Sequence, residues 1–268
     1  MDERGSVLGR VLIGAFAVLV FAYILLPVLV IIPMSVSAQQ YFSFPPSGWS
    51  LRWYAEVASK DDWWSAAVNS FIIGVPTAVL STVLGTMAAL ALTRSGLKGV
   101  SIAGALVLAP LMLPHVILAI GLYPVMLKLG LLRTYAAAII GHTVVAMPLV
   151  FVTVAASLRG YAPSYELAAM SLGANWWNTF CHVTFPMIRP GVFGGAILAF
   201  ATSFDELMLS LFLTGASTRT LPRLIWEHMN DFLTPALAVV AVLILAFTLV
   251  LLMLSVIVKR DEPAELHA

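Results

Sequence analysis

The sequence predicts an all-α membrane protein with about six transmembrane helices, and two observations lead to this fold class. Of the 268 residues, 61% are hydrophobic and 10% are charged, whereas a soluble domain is about half apolar and about a quarter charged. Six separate apolar stretches are each close to the roughly 20 residues that a helix needs to cross a bilayer. One soluble core of this size cannot bury that much apolar surface, so lipid must be part of the solvent.

The first apolar stretch could be a spanning helix or a cleaved signal peptide. Arg4 and Arg10 precede it, and residues 36–38 resemble a cleavage site. However, the apolar run over residues 11–33 is longer than the roughly 7–15 residues of a signal core. We therefore expect a retained spanning helix.

We expect the six membrane helices at residues 7–33, 66–92, 100–127, 134–158, 191–213 and 236–258. Prolines fall inside several of these stretches, and each proline removes a backbone donor and bends its helix. Membrane bundles tolerate such bends because neighbouring groups satisfy the freed carbonyls. Residues 1–268 are thus predicted to form a single transmembrane domain, with a long polar loop at 159–190.

Lysine and arginine are divided unevenly between the two sides of the predicted bundle. Six spans place both termini and the 159–190 loop on one side. Basic residues favour the cytoplasmic side, so both termini and this loop are predicted to be cytoplasmic. The terminal side holds eight basic residues, Arg4, Arg10, Arg94, Lys98, Arg159, Arg189, Lys259 and Arg260, and the other side holds six, Arg52, Lys60, Lys128, Arg133, Arg219 and Arg223.

Motifs of catalytic chemistry are absent from the sequence. Without a glycine-rich phosphate loop that ends in Lys-Ser or Lys-Thr, the chain is not expected to hydrolyse ATP alone. There is no His-Glu-x-x-His helix and no Gly-x-Ser-x-Gly turn, and the five histidines are not paired at ligand spacing. The 14 basic and 13 acidic residues argue against a nucleic-acid surface. We expect no catalytic site, metal or cofactor of the chain's own.

Isolated polar residues in the apolar segments are expected to stabilise the fold rather than to bind substrate. His115, beside Pro114, and His142 are expected to satisfy the carbonyls of bent helices rather than to bind substrate. Cys181 is the only cysteine, so it cannot form an internal disulfide, and it is expected to act as a small buried apolar residue.

The 159–190 loop has the pattern of a helix–turn–helix. Pro163 and Ser164 can start a helix, and Gly173 can end it in the left-handed conformation. Asn175 can cap a second short helix that runs to about Val183 before the fifth span. Small alanine side chains on the first helix would let another protein come close.

This spacing resembles the EAA loop of bacterial binding-protein-dependent ABC importers. Ala168 and Ala169 are followed by three residues and Gly173, and the family's spacing continues to Pro186. The family's glutamate position holds Leu167, with Glu166 one residue earlier, a shift that turns a helical side chain by about 100°. The resemblance implies that a separate ATPase docks here, with Ala168, Ala169 and Gly173 better matched to that contact than Glu166. The coupling residues implied are Glu166, Leu167, Ala168, Ala169 and Gly173.

The predicted fifth span contains acidic residues, which cost about 2.5–3.5 kcal/mol each inside a membrane helix on insertion scales. Asp205 and Glu206 lie well inside this span, and Ser203 precedes them at helical spacing. We expect Ser203, Asp205 and Glu206 to line a pathway for a cationic substrate. The alternative is that the span ends early and the two acids lie among lipid headgroups or contact a partner subunit.

Several segments resemble spermidine/putrescine-type permeases within that importer class. They are residues 44–54, 203–206 and 218–222, together with Asn69 and Ser70. Permeases for iron, phosphonates and opines share parts of these segments, so they stay alternative assignments. A secondary transporter is a further alternative, although no internal repeat supports it.

The resemblance implies the bundle of type I (MetI-like) ABC importers in a bacterial inner membrane. Its implied partners are a second permease subunit, either identical or different, two ATPase subunits that use ATP and Mg²⁺, and an extracytoplasmic substrate-binding protein. The chain would supply half of the translocation pathway. It would contact the substrate-binding protein and membrane lipid, and it would not bind nucleic acid.

Overall fold

The computed structural model describes residues 3–94, 99–231 and 233–260, and this part of the chain is almost entirely helical. The helices are α1 (Glu3–Ser35), α2 (Arg52–Ser59), α3 (Asp61–Arg94), α4 (Val100–Met112), α5 (His115–Lys128), α6 (Tyr135–Arg159), α7 (Ser164–Ser171), α8 (Trp176–Thr179), α9 (Phe185–Phe204), α10 (Met208–Leu213), α11 (Leu221–Asp231) and α12 (Pro235–Arg260).

Four described helical segments are long and apolar enough to cross a membrane by length and composition: Gly9–Ser35 in α1, Asp61–Arg94 (α3), Tyr135–Arg159 (α6) and Trp176–Phe204, which joins α8 to α9. The pair α4 and α5 counts as a fifth span if both halves belong to one crossing. The predicted span at 236–258 falls in α12, whose described apolar stretch, Pro235–Leu251, is shorter than those four. The predicted cytoplasmic termini and Lys98 fall on residues 1–2, 95–98 and 261–268, outside the described residues.

The described chain forms two compact units. The first comprises the described parts of Met1–Asp61 and Glu227–Ala246. In it, the loop after α1 is fixed to α2 because the Gln39 carbonyl accepts from the Arg52 guanidinium at 2.7 Å and from the Trp53 indole at 3.1 Å. The side chains of residues 9–35 in α1 are mostly exposed in the isolated chain, as expected for a helix whose solvent is lipid.

The second unit, Asp62–Trp226 with the described part of Phe247–Ala268, is built around α6 and α9. Leu158 and Ile188 are fully buried in its core. A Cβ atom on Gly195 of α9 would lie 2.6 Å from Thr153 Oγ1 and 3.1 Å from Val150 Cα of α6. Only a glycine permits this approach, because small residues let membrane helices pack backbone to backbone.

The predicted span at 100–127 consists of two helices, α4 and α5, with a break between them. The chain bends by 104° between α4 and α5, where Leu113 is extended and Pro114 starts the next helix. Proline lacks the N–H that a continuous helix requires, and it disfavours helical backbone at the residue before it. The break exposes the start of α5 and places His115 there.

The predicted fifth span at 191–213 also differs from the structure. Its helix ends at Phe204, and Asp205 forms the C-cap before α10 begins at Met208. At the other end, the second short helix expected from Asn175 to about Val183 runs on into the fifth span, since helical structure continues over Trp176–Phe204. A π-helical turn at Phe180–Thr184 comes just before Pro186. Proline lacks the backbone N–H that a normal helical hydrogen bond requires, and such a turn accommodates this irregularity.

Candidate coupling and transport sites

The helix–turn–helix in the loop after α6 is closed by backbone hydrogen bonds. Gly173 has φ +93°, and its N–H donates to the Met170 carbonyl at 3.0 Å. The next N–H, that of Ala174, donates to Ala169 at 3.1 Å. This pair of bonds is a Schellman ending, which requires a left-handed residue and so favours glycine. Asn175 caps the following helix by accepting from the Asn178 N–H at 2.8 Å, as the sequence predicts.

The turn presents apolar side chains outward. Leu167 is 63% exposed and Leu172 is 90% exposed, and Ala168 and Gly173 are also exposed while Ala169 is half-buried. We call Leu167–Gly173 the coupling turn. Exposed apolar side chains beside small residues form a surface onto which a second protein can pack closely.

Glu166 is directed toward its own chain. Its Oε1 atom accepts hydrogen bonds from the Tyr161 hydroxyl at 2.5 Å and the Thr184 hydroxyl at 3.1 Å. Arg94 Nε, at the end of α3, lies 3.4 Å from the same oxygen, and the Glu166 side chain is only 16% exposed. The carboxylate therefore joins the loop to the ends of α3 and α6 and to the turn before α9.

Tyr161 and Arg94 complete this anchor. The Arg94 guanidinium lies 4.7 Å from the centre of the Tyr161 ring and donates to the Leu158 carbonyl at 3.1 Å. Burial, reinforced by the hydrogen bond to Glu166, raises the pKa of the Tyr161 phenol above its usual value. The phenol is thus kept protonated and donates to the carboxylate. We call Arg94, Tyr161, Glu166 and Thr184 the anchor cluster.

The polar residues predicted in the fifth span fall into two environments. Ser203 is buried, and its hydroxyl lies 2.8 Å from His142 Nδ1, while His142 Nε2 lies 3.2 Å from the Ser210 hydroxyl. Ser210 also donates to the Glu206 backbone carbonyl at 2.8 Å. Ser203 and Glu206 are therefore linked through His142 and Ser210. Asp205 is exposed and lies outside this network.

Glu206 is buried at the break between α9 and α10, and both of its carboxylate oxygens have partners. Oε1 accepts from the Leu209 N–H at 3.0 Å, and Oε2 lies 2.7 Å from His115 Nδ1. We expected His115 and His142 to satisfy backbone carbonyls, and the structure instead shows carboxylate and hydroxyl partners for them. The sequence signal that could have identified His115 is its position directly after the proline that breaks the third span.

The chain is thus a bundle of apolar helices, several of them bent, with an exposed helical turn at one loop and a buried carboxylate where two broken helices meet. This combination fits a membrane protein that moves a polar solute and contacts a second protein. The chain belongs to the family of binding-protein-dependent transport system inner membrane components, whose profile matches residues 62–261.

Relatives and solved structures agree with this family. The spermidine/putrescine transport system permease protein PotC of Escherichia coli (strain K12) is 28% identical over 95% of this chain and 96% of its own length. The putrescine transport system permease protein PotI of the same strain is 31% identical over 84% of this chain and 82% of its own.

A bacterial ABC transporter structure involved in the import of the polysaccharide alginate matches 97% of this chain and 98% of its own, with a TM-score of 0.66 and 18% identity. That likeness shows the fold of a type I ABC importer permease. The chain is accordingly an ABC importer permease component and a transport subunit rather than an enzyme.

Proposed function

We propose that this chain forms half of the translocation pathway of an ATP-driven importer for a polyamine or a similar small organic cation, and that the coupling turn docks a separate ATPase. The buried carboxylate of Glu206 is the observation that carries the substrate class. A carboxylate in an apolar bundle is costly unless it is paired, so a carboxylate at a helix break favours a cationic ligand.

The coupling turn supports the docking proposal. Leu172 projects almost fully from the chain, while Ala168 and Gly173 offer little side-chain bulk beside it. An ATPase groove could therefore enclose Leu172 and approach the backbone of α7. Glu166 has a different part in this arrangement: it fixes the docked loop to three segments of the membrane bundle through the anchor cluster.

This division of roles gives a route for the mechanical step. Movement of the ATPases would displace the coupling turn, and the anchor cluster would pass that displacement to the ends of α3 and α6 and to the start of α9. Coupling requires that ATPase contacts differ between two states of the bundle. ATP and Mg²⁺ would be bound by the ATPase subunits, and this chain would bind neither.

Relatives support the remaining partners and the substrate class. PotC and PotI are permeases for spermidine/putrescine and for putrescine, so the same class of cargo is proposed here. The assembly would comprise this chain, a second permease subunit, two ATPases and an extracytoplasmic substrate-binding protein in a bacterial inner membrane. Both termini and the coupling turn would face the cytoplasm.

Uptake by the reconstituted importer tests the proposal. Radiolabelled putrescine should enter proteoliposomes only with ATP. Glu206→Gln should reduce uptake at least about tenfold, because the substrate loses its ionic partner. Asp205→Asn is expected to reduce uptake less, since Asp205 is exposed and lies outside the network. Membrane abundance should stay constant. Unchanged putrescine uptake by both variants would remove the acidic residues from the pathway.

Copurification tests the docking half of the proposal separately. Gly173→Asp should release the ATPase subunits from the purified complex, because it places a charged side chain at a strained position of the coupling turn. Gly99→Asp is the matched control, since Gly99 has the same φ of +93° and open space around it at a different loop. Equal ATPase retention in the two variants would contradict docking at the coupling turn.

A further inference from the structure

Two helix breaks meet at a contact between a histidine and a carboxylate in the second unit. His115 is the first residue of α5, directly after the bend, and Glu206 lies in the break between α9 and α10. Their side chains approach to 2.7 Å between His115 Nδ1 and Glu206 Oε2. The core formed by Ala119 of α5 and by Leu209 and Leu213 of α10 is fully buried around this meeting point.

The two partners differ sharply in exposure. The Glu206 side chain is only 4% exposed, whereas the His115 side chain is 41% exposed. One carboxylate oxygen is fixed by a backbone N–H of its own segment. The other meets an imidazole that reaches it from a different helix and from the accessible side. The imidazole therefore caps Oε2, the carboxylate oxygen that the local backbone does not hold.

The contact has the length of a short hydrogen bond from an imidazole N–H to a carboxylate oxygen. Charged N–H groups approach carboxylate oxygens at about 2.7–2.9 Å, and His115 Nδ1 lies within that range. A primary ammonium group would make the same contact at the same oxygen. His115 and an alkylammonium ion are thus alternative partners for one site.

We propose that His115 is a tethered stand-in for the ammonium group of the substrate. It occupies Glu206 between transport cycles and is displaced when an alkylammonium ion enters. This inference rests on the proposed cation pathway through Glu206. A carboxylate left buried without a partner is strongly unfavourable, so the stand-in keeps the empty pathway stable. It also makes inorganic cations compete with an intramolecular group that is always present.

Thiol labelling tests the site without relying on transport. In the assembled importer, Cys181 is first replaced by alanine, and His115→Cys is then introduced. If Glu206 attracts cations to the vacated position, 2-aminoethyl methanethiosulfonate should react there about tenfold faster than the anionic 2-sulfonatoethyl reagent, after correction for their rates with a free thiol. Added putrescine should slow the cationic reagent, and Glu206→Gln should abolish the preference.

Leu129→Cys, at the other end of α5, is the matched control and should show neither the charge preference nor protection by putrescine. Absence of a charge preference at position 115 would overturn the inference, as would an equal preference at position 129. Because labelling needs no transport, a preference that persists in an importer unable to take up putrescine would refute the proposed cargo and leave the cation site in place.

A fixed charge then tests the displacement step. His115→Lys places a permanent ammonium group beside Glu206 and should lower the maximal rate of putrescine uptake at least about tenfold, since the substrate must break a stronger pair. His115→Gln keeps a neutral hydrogen-bond donor and should retain uptake within about threefold of the parent rate. Equal uptake by the lysine and glutamine variants, in a complex of unchanged composition, would overturn the stand-in role.

Discussion

Replacing Glu166 with alanine tests whether the anchor cluster holds α7 to the membrane helices. The substitution removes two hydrogen bonds accepted by a carboxylate, from Tyr161 and Thr184, and one ionic contact with Arg94. Each bond to a charged group contributes about 1.5–3 kcal/mol. The ionic contact adds at most about 1 kcal/mol because both side chains remain partly accessible to solvent.

The lower end of these values is appropriate, since the freed hydroxyl groups can recover some hydration. We therefore expect a loss of about 3 kcal/mol, which is close to a hundredfold in the equilibrium between the held and released loop. Glu166→Gln keeps an acceptor oxygen without the charge, and should lie near tenfold, about 1.4 kcal/mol.

Hydrogen–deuterium exchange of the chain in lipid nanodiscs measures this directly. Peptides that cover α7 should exchange about a hundredfold faster in the alanine variant. Glu56→Ala is the control, because the Glu56–Lys60 pair is exposed at the surface and such pairs contribute at most about 1 kcal/mol. If α7 keeps its protection in Glu166→Ala, or loses no more than α2 loses in Glu56→Ala, the anchoring argument is wrong.

Three further outcomes follow from the packing. Gly173→Ala and Gly99→Ala should each cost about 1 kcal/mol of left-handed strain, but only the former should weaken ATPase retention on an affinity column. Gly195→Leu forces α6 and α9 apart, so the melting temperature of this variant should fall by several degrees. Gly104→Leu is the control and should melt at the parent temperature, because the space around the Gly104 Cβ position is open. His142→Leu leaves two serine hydroxyls short of a partner and should lower the melting temperature by roughly 5 °C without changing ATPase binding; an unchanged value would show that the buried network does not stabilise the bundle.

The sequence predicted those features of the fold that depend on residues close together in the chain, namely helix caps, turns and long apolar helices. Gly173 and Asn175 act within one or two turns of their own backbone, so the turn and cap were readable from the sequence. The apolar stretches likewise fix where long helices lie. Proline gave a weaker signal, because Pro76 and Pro148 lie inside continuous helices while Pro114 breaks one.

Tertiary contacts account for what the sequence did not reveal. The inward direction of Glu166 depends on Arg94 and Thr184, which come from distant helices, and helical spacing alone leaves that side chain's partner open. The pair between His115 and Glu206 forms only because two breaks are brought together by the packing of α5 against α10. No pattern within either segment contains this information.

The proposed mechanism depends on docking of an ATPase at the coupling turn, and photocrosslinking in membranes that contain the whole importer tests that claim. With p-benzoylphenylalanine at position 172, the claim predicts an adduct between this chain and the ATPase subunit. The same probe at position 106, which is exposed on α4, should give no ATPase adduct. If the intact complex forms but position 172 links only to lipid, or not at all, the claim is contradicted.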